Sequence, residues 1–71
     1  MPYINIQVTD EGVTRAQKQA LIAGVAKLMA EVLQKPPHLT FTVIEEVATD
    51  NWGIGYDQVS ELRQRALAEQ I

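Results

Sequence analysis

Residues 3–9, Tyr-Ile-Asn-Ile-Gln-Val-Thr, alternate apolar and polar side chains close to the start of the chain. A period of two residues is typical of a β-strand that buries one face, which here would carry Ile4, Ile6 and Val8. The stretch therefore predicts a first strand and also predicts which of its sides is covered.

After this strand the apolar period changes to that of a helix, from residue 15 to about residue 35. Thr14 belongs to the residue types that cap helix N-termini. Two prolines at residues 36–37 end the helix, because proline lacks an N–H and restricts the residue before it. Gly24 costs about 1 kcal/mol relative to alanine inside a helix, and we expect it to allow close approach of the helix to a sheet.

A second strand is predicted over residues 39–47, which are rich in β-branched and aromatic residues. Strand, helix and strand in this order form a βαβ unit, whose strands are parallel with a right-handed crossover. Residues 48–56 are rich in turn-forming residues and are expected to form a small hairpin, and residues 60–71 a short helix. The expected fold is α+β, in a single domain of residues 1–71.

The length of 71 residues, of which 46% are hydrophobic, predicts self-association. A chain of about 60 residues buries only ~60% of the surface that its unfolded form exposes, so small domains usually need disulfides, a metal or a partner chain. The sequence has no cysteine and a single histidine, His38. Disulfides and the usual zinc sites are excluded, and no metal is expected.

Six basic and nine acidic residues give a net charge of −3, with no basic stripe. Nucleic acid is therefore not an expected partner. No apolar run approaches the roughly 18 residues of a membrane span, and no signal sequence is visible, so no membrane association is expected. The expected location is the cytoplasm, with which the lack of cysteine is consistent.

Pro2 is the candidate catalytic residue, because the common catalytic motifs, such as Gly-x-Ser-x-Gly and His-Glu-x-x-His, are absent. The alternative is that Pro2 merely follows the initiator methionine, as proline does in many unrelated proteins. Met1 is readily removed before a small residue, which leaves Pro2 as a free secondary amine. An α-amino group has a reference pKa of about 7.7–8.0, and apolar surroundings lower this pKa toward the range of a general base at neutral pH. If Met1 is retained, the Pro2 nitrogen is an amide and cannot act as a base.

The chain resembles the 4-oxalocrotonate tautomerase family from residue 2 to about residue 63. Members of this family are short, begin Met-Pro and continue with an alternating strand, a helix, a proline break and a second strand. Here the second strand ends Ile-Glu-Glu-Val at residues 44–47. The most specific match is Asn-Trp-Gly-Ile-Gly at residues 51–55, where the family has an aromatic residue followed by Gly-Ile-Gly.

The resemblance implies a βαβ protomer with two parallel strands, one long helix, a C-terminal hairpin and a short helix. It implies dimers that form a mixed sheet and that assemble into a homohexamer. It also implies that Pro2 moves a proton between oxygen and carbon of a 2-hydroxydienoate or a similar enol, without cofactor or metal. Trp52 takes the place of the aromatic residue that makes the site apolar.

Two positions depart from the family's pattern. Characterised members bind the substrate carboxylates with one arginine after the first strand's loop and another in the second strand. The match places Val13 at the first position and Phe41 at the second, and neither side chain can carry charge. Arg15 is a candidate replacement, as are Arg63 and Arg65 acting from a neighbouring subunit, with a solvated or ion-paired role as the alternative for each.

The preferred hypothesis is an isomerase that converts a 2-hydroxy enol into its ketone, with weak activity on the dicarboxylate 2-hydroxymuconate. Losing a preorganised charged donor typically costs about 10² to 10³ in rate, and a monoacid or an aryl enol such as phenylenolpyruvate suits Phe41 and Trp52. A second hypothesis is hydration or dehalogenation of unsaturated acids, with cationic Pro2 as the acid. A third is a non-catalytic oligomeric scaffold. The natural substrate stays open.

Overall fold

A computed structural model of the chain describes residues 1–69, and residues 70 and 71 lie outside the description. The elements follow in the order β1 (Tyr3–Thr9), α1 (Arg15–Leu33), β2 (Phe41–Val47), β3 (Gly53–Ile54), β4 (Asp57–Gln58) and α2 (Val59–Glu69). Two short 3-10 turns, Pro37–Leu39 and Thr49–Asn51, lie before and after β2. This order confirms the predicted small α+β fold.

The strands β1 and β2 pair in parallel, with Tyr3 opposite Phe41, as the βαβ pattern predicts. Helix α1 covers one face of this pair, since Lys18 Nζ of α1 lies 2.5 Å from Glu46 Oε2 of β2. The other face is left open in the protomer. The residues that share the covered face with Glu46 are half-buried: Ile4, Ile6, Val8, Thr42 and Ile44.

Helix α1 begins at Arg15, as predicted, and ends at Leu33, earlier than the predicted end near residue 35. Its start is held by a capping box, in which Thr14 Oγ1 accepts the N–H of Gln17 and Gln17 Oε1 accepts the N–H of Thr14. Gln34 adopts the left-handed conformation, with φ of 56°. This residue ends the helix before the two prolines are reached.

The predicted start of the second strand at Leu39 is wrong, since β2 begins at Phe41. The N–H of Leu39 donates to the Pro36 carbonyl at 3.0 Å, and the N–H of Thr40 donates to the Pro37 carbonyl at 3.1 Å. These donors serve the 3-10 turn and are not available to a strand. Proline at the first position favours such a turn, because its φ is preset and its missing N–H is not needed there.

The predicted hairpin is confirmed, since β3 and β4 pair antiparallel, but β4 lies just beyond the predicted segment of residues 48–56. Gly55 between them has φ of 64°, a conformation that glycine adopts without steric cost. Helix α2 begins at Val59 rather than Ser60, and its predicted end at Ile71 lies outside the described residues. Neither α1 nor α2, as described, is both long and apolar enough to cross a membrane.

Within the protomer, Gly24 does not have the role expected of it in close helix–sheet packing. Gly24 is exposed, and a Cβ atom built on it would meet no atom outside its own helical turn within 4 Å. The helix therefore does not approach the protomer's own sheet closely at this residue.

The protomer is extended and has little interior of its own. Its radius of gyration is 16.2 Å, whereas a compact chain of this length has about 11 Å. Within residues 1–69, Val59 is the one fully buried apolar side chain, at 1% exposure. Large apolar side chains stay exposed on the open sheet face and on α1, including Tyr3, Phe41, Val43, Leu21, Ile22, Leu28, Val32 and Leu33.

Candidate active site

Pro2 lies at the N-terminal end of β1, beside the start of β2. Its carbonyl oxygen accepts the N–H of Phe41 at 3.0 Å, so the first residue of β2 holds Pro2 against the sheet. Pro2 is half-buried, whereas Met1 is 78% exposed. Removal of Met1 therefore exposes the Pro2 nitrogen while disturbing little of the packing around it.

The open sheet face beside Pro2 is aromatic. Tyr3 and Phe41 are direct neighbours in the register, and their side chains are 65% and 51% exposed. Further along the same face, Asn5 Nδ2 donates to Glu45 Oε1 at 2.6 Å. Among the predicted site residues, Phe41 is the one that the structure brings next to Pro2.

The other predicted site residues lie at the opposite end of the sheet. Val13 and Arg15 follow the C-terminal end of β1, and Trp52 follows the C-terminal end of β2. From Pro2 to Thr9 the strand advances by roughly 23 Å, at about 3.3 Å per residue. A single protomer therefore does not bring Pro2 together with Val13, Arg15 or Trp52.

Val13 lines an open apolar groove between the end of β1 and the start of α1. The side chains that line the groove with it are those of Val8, Gln17, Ala20 and Leu21. Gln17, the polar residue among them, is engaged in the capping box with Thr14. The position at which the resemblance expects an arginine is thus part of an apolar surface.

Trp52 is half-buried at the end of the second 3-10 turn. Its N–H donates to the Thr49 carbonyl at 3.4 Å, and its carbonyl accepts the N–H of Val59 at 2.8 Å. Gln58 Nε2 also donates to the Asp50 carbonyl, at 2.9 Å. The turn that carries Trp52 is therefore held by the start of α2, whose first residue is the buried Val59.

The ion pair between Arg63 and Glu11 links α2 to the loop after β1. Arg63 donates to Glu11 through Nε at 2.7 Å and through Nη2 at 3.1 Å, and Thr9 Oγ1 donates to the same carboxylate at 2.6 Å. These hydrogen bonds, with that from Arg63 the largest influence, lower the pKa of Glu11 from 4.5 to about 2. The guanidinium of Arg63 is thus engaged within the protomer.

Arg65 is engaged as well, whereas Arg15 is not. Arg65 Nη1 lies 3.1 Å from Asp57 Oδ2, and its Nε lies 3.3 Å from Glu61 Oε1. The hydrogen bond to Asp57 is the main influence that raises the pKa of Arg65. Arg15 is exposed at the first position of α1 and forms no salt bridge with any residue in 1–69. Of the three arginines, it alone has a charge that no described carboxylate neutralises.

Thr40 did not emerge from the sequence as a site residue. Its Oγ1 is buried and has no hydrogen-bond partner among the described residues. Thr40 directly precedes Phe41 and so lies at the Pro2 end of the sheet. A threonine before a strand is common, and its closeness to Pro2 becomes visible only when the strand register is known. Across residues 1–69, no cluster of three or more histidine, aspartate or glutamate side chains is placed to hold a metal ion.

Comparison with known proteins relates this arrangement to a family. The family model described as "Tautomerase enzyme" matches residues 2–62. The chain is 53% identical over 66 residues to a protein named as a probable tautomerase in Dickeya dadantii, which covers 93% of this chain and 98% of that protein. It is 37% identical over 62 residues to the 2-hydroxymuconate tautomerase of Pseudomonas putida, which covers 87% of this chain and 97% of that protein.

Comparison of the fold with solved structures relates the chain to the same family. The crystal structure of DmpI from Helicobacter pylori matches with a TM-score of 0.83 and 45% sequence identity, over 89% of this chain and 97% of that chain. The residues matched by the family model run from Pro2 through Trp52 and into α2. By sequence and by fold, the chain belongs to the 4-oxalocrotonate tautomerase family.

Proposed function

We propose that the protein is a cofactor-independent tautomerase in which Pro2 is the general base. Once Met1 is removed, the Pro2 amine takes the proton from the 2-hydroxyl oxygen of an enol substrate. A proton is then returned to a carbon of the conjugated system, which gives the ketone. The net reaction moves one proton from oxygen to carbon and consumes nothing else.

The placement of Pro2 carries this proposal. Pro2 is half-buried at the start of β1, at the end of the sheet where the opposite, open face carries Tyr3 and Phe41, and Met1 projects into solvent. Apolar surroundings disfavour the ammonium form, which lowers the pKa of an amine toward neutral pH. An amine with such a pKa suits general base catalysis under physiological conditions.

The proposed site is assembled between chains. Pro2 lies at one end of the sheet, and Arg15 and Trp52 lie at the other, so a second copy in antiparallel orientation supplies the far end to the first copy's Pro2. The exposed apolar residues of the open sheet face and of α1 provide the surface for this contact. From the family resemblance we expect dimers with a mixed sheet that assemble into a homohexamer.

The proposed substrate is an enol acid with one carboxylate and an apolar or aryl remainder. Arg15 supplies a cation for that carboxylate, and Val13, Phe41 and Trp52 offer apolar surface to the remainder. The other two arginines are held in ion pairs, so no second arginine is free to compensate a second substrate carboxylate for its lost water. We therefore expect weak activity on 2-hydroxymuconate, the compound in the name of the Pseudomonas putida relative.

Kinetics of the processed protein test the proposal, with phenylenolpyruvate and 2-hydroxymuconate as substrates. We expect Pro2→Ala to lower kcat/KM on phenylenolpyruvate by at least about 10²-fold, because it replaces the ring-held secondary amine with a primary amine that is not held in one orientation. Pro36→Ala, which removes an exposed proline after α1, is the matched control and should keep the wild-type rate. A rate that survives Pro2→Ala, or an intact mass showing that the natural protein retains Met1, would overturn the proposal.

A further inference from the structure

Thr40 carries the one buried side-chain polar atom that lacks a hydrogen-bond partner in the described part of the chain. Buried hydroxyls are normally paired, because burial without a partner costs free energy. The backbone N–H of Thr40 is used by the 3-10 turn, where it donates to the Pro37 carbonyl at 3.1 Å. The hydroxyl forms no hydrogen bond within residues 1–69, so its role depends on the groups that lie next to it.

The neighbour of Thr40 across the strand pair is Pro2. Tyr3 lies opposite Phe41 in the parallel register, and one step back along both strands places Pro2 opposite Thr40. The hydrogen bond of 3.0 Å from the Phe41 N–H to the Pro2 carbonyl shows that pairing continues to this point. Residues opposite each other share a sheet face, which for this pair is the face covered by α1.

The Pro2 carbonyl faces β2, since it accepts the N–H of Phe41. The ring Cδ, which stands where another residue has its amide hydrogen, faces β2 as well. The two remaining positions on the nitrogen of the freed amine lie on either side of the former peptide plane, so one of them points toward the sheet face that Thr40 shares. Neighbouring strands are about 4.8 Å apart, a separation that a threonine hydroxyl can bridge.

Processing of the chain explains why the hydroxyl is unpaired while Met1 is present. With Met1 attached, the Pro2 nitrogen is an amide without a hydrogen, so it has nothing to donate. Removal of Met1 creates an amine with one hydrogen when neutral and two when protonated. Because Met1 is 78% exposed, its loss leaves the surroundings of Thr40 largely unchanged.

We propose that Thr40 is a positioning residue for the catalytic amine, whose N–H donates a hydrogen bond to Thr40 Oγ1 in the processed protein. This proposal rests on the function proposed for Pro2. Holding the hydrogen of the neutral amine fixes the direction of its lone pair, which is the group that takes the substrate's proton. Once Pro2 is protonated, the same oxygen stabilises the ammonium, because hydrogen bonds from charged donors are stronger.

Other titratable groups around this end of the sheet are few and exposed. They are Tyr3 on the open face, His38 in the turn before β2, and Lys27, Glu31 and Lys35 at the end of α1 and just beyond it. None of them forms a salt bridge within residues 1–69. Substitution of Thr40 leaves all of these groups in place, so a change in the titration of Pro2 can be attributed to the lost hydroxyl.

The test is an NMR titration of the Pro2 amine in processed protein labelled with [15N]proline. The other two prolines are in amide linkage and do not titrate, so the titrating signal belongs to Pro2. We expect Thr40→Val to lower the pKa of the amine by about one unit, since it removes an acceptor that favours the cation. Thr40→Ser keeps the hydroxyl and should keep the wild-type pKa.

Thr42→Val is the matched control, because Thr42 lies on the same sheet face two residues along β2 and is not opposite Pro2. An unchanged pKa in Thr40→Val overturns the proposal, and so does an equal fall in Thr42→Val. If Thr40→Val does not fold, Thr40→Ala replaces it with the same expectation. In active protein, the acidic limb of the kcat/KM profile should move to lower pH by the same amount.

The titration also separates this proposal from the function on which it rests. It reads the amine directly and needs no turnover. A lowered pKa in Thr40→Val together with full activity of Pro2→Ala would support the hydrogen bond and remove the catalytic role of Pro2. An unchanged amine pKa in Thr40→Val together with a loss of activity in Pro2→Ala would overturn the hydrogen bond and support the catalytic role of Pro2.

Discussion

At the end of the sheet where Pro2 lies, the exposed neighbours are the rings of Tyr3 and Phe41. At the opposite end lie all four salt bridges of the described residues, the capping box of α1 and the buried start of α2. The first end has the proposed base, Pro2, but no arginine, and the second end has Arg15 and Trp52 but no terminal amine. If the proposed site needs groups from both ends, it can form only where one protomer meets another.

The largest effect at the second end is expected when the positive charge of Arg15 is removed. Arg15→Gln should lower kcat/KM for phenylenolpyruvate by about 10²-fold, because it removes the charge proposed to hold the substrate carboxylate. The variant should fold normally, since a cation in the first turn of a helix is mildly unfavourable. Steady-state kinetics and a thermal melt check both expectations.

Arg65→Gln is the matched control for Arg15→Gln. It removes an arginine that is already engaged with Asp57 and Glu61, so the rate should change by no more than about threefold. An equal loss in both variants would mean that net charge, rather than a positioned Arg15, sets the rate.

A smaller but more specific effect is expected when the two variants of low activity, Pro2→Ala and Arg15→Gln, are combined. If one site takes Pro2 from one chain and Arg15 from another, a hybrid of Pro2→Ala and Arg15→Gln chains contains sites in which both residues are intact. For random pairing in a two-fold dimer, half of the dimers are hybrids and each keeps one of its two sites. Refolding the variants together in equal amounts should therefore restore about a quarter of wild-type activity.

Each variant refolded alone is the control for this mixture. Activity that stays at the level of the separate variants would place Pro2 and Arg15 of one site in the same chain. That outcome conflicts with the separation of roughly 23 Å along β1 and would require the protomer to rearrange on assembly.

Local patterns in the sequence were sufficient to predict the strand–helix–strand unit. The alternation in β1 and the helical period in α1 are set by which side chains must be covered, and this is visible over a few residues. The start of β2 was predicted incorrectly, because Pro37 favours a turn through its own backbone geometry while its neighbours have high strand propensity. The expectation for Gly24 fails within the protomer, because the distance between a helix residue and the sheet depends on how the two elements pack, which the helix sequence alone does not show.

The candidate site was harder to predict, because it depends on contacts between distant residues. Pro2, Trp52 and the missing arginines come from the family resemblance, which compares positions along the chain. The pairing of Arg63 with Glu11 joins residues 52 positions apart, and no local pattern indicates that this arginine is engaged while Arg15 is not. Thr40 and Pro2 are neighbours only in the observed strand register, and a shift of one residue would place the Thr40 side chain on the opposite sheet face.

The smallest effect is expected from acid, which should weaken the second end of the sheet through Glu11. Folding lowers the pKa of Glu11 from 4.5 to about 2, so the folded state favours the carboxylate. The stability that this provides is present above pH 4.5 and is lost as the pH falls toward 2. Because the Glu11 and Arg63 side chains are 35% and 57% exposed, the effect should be modest and should shrink further with added salt.

Glu11→Gln lacks this carboxylate, so its Tm should lie below that of wild type at neutral pH and approach it as the pH falls from 4.5 to 2. Asp10→Asn removes the neighbouring exposed carboxylate, which has no salt bridge within residues 1–69, and should not show this convergence. A Tm gap between wild type and Glu11→Gln that stays constant down to the lower pH would mean that the ion pair does not stabilise the fold. The difference between the two ends of the sheet would then lie in Arg15 and Trp52, and not in the stability provided by the Glu11–Arg63 ion pair.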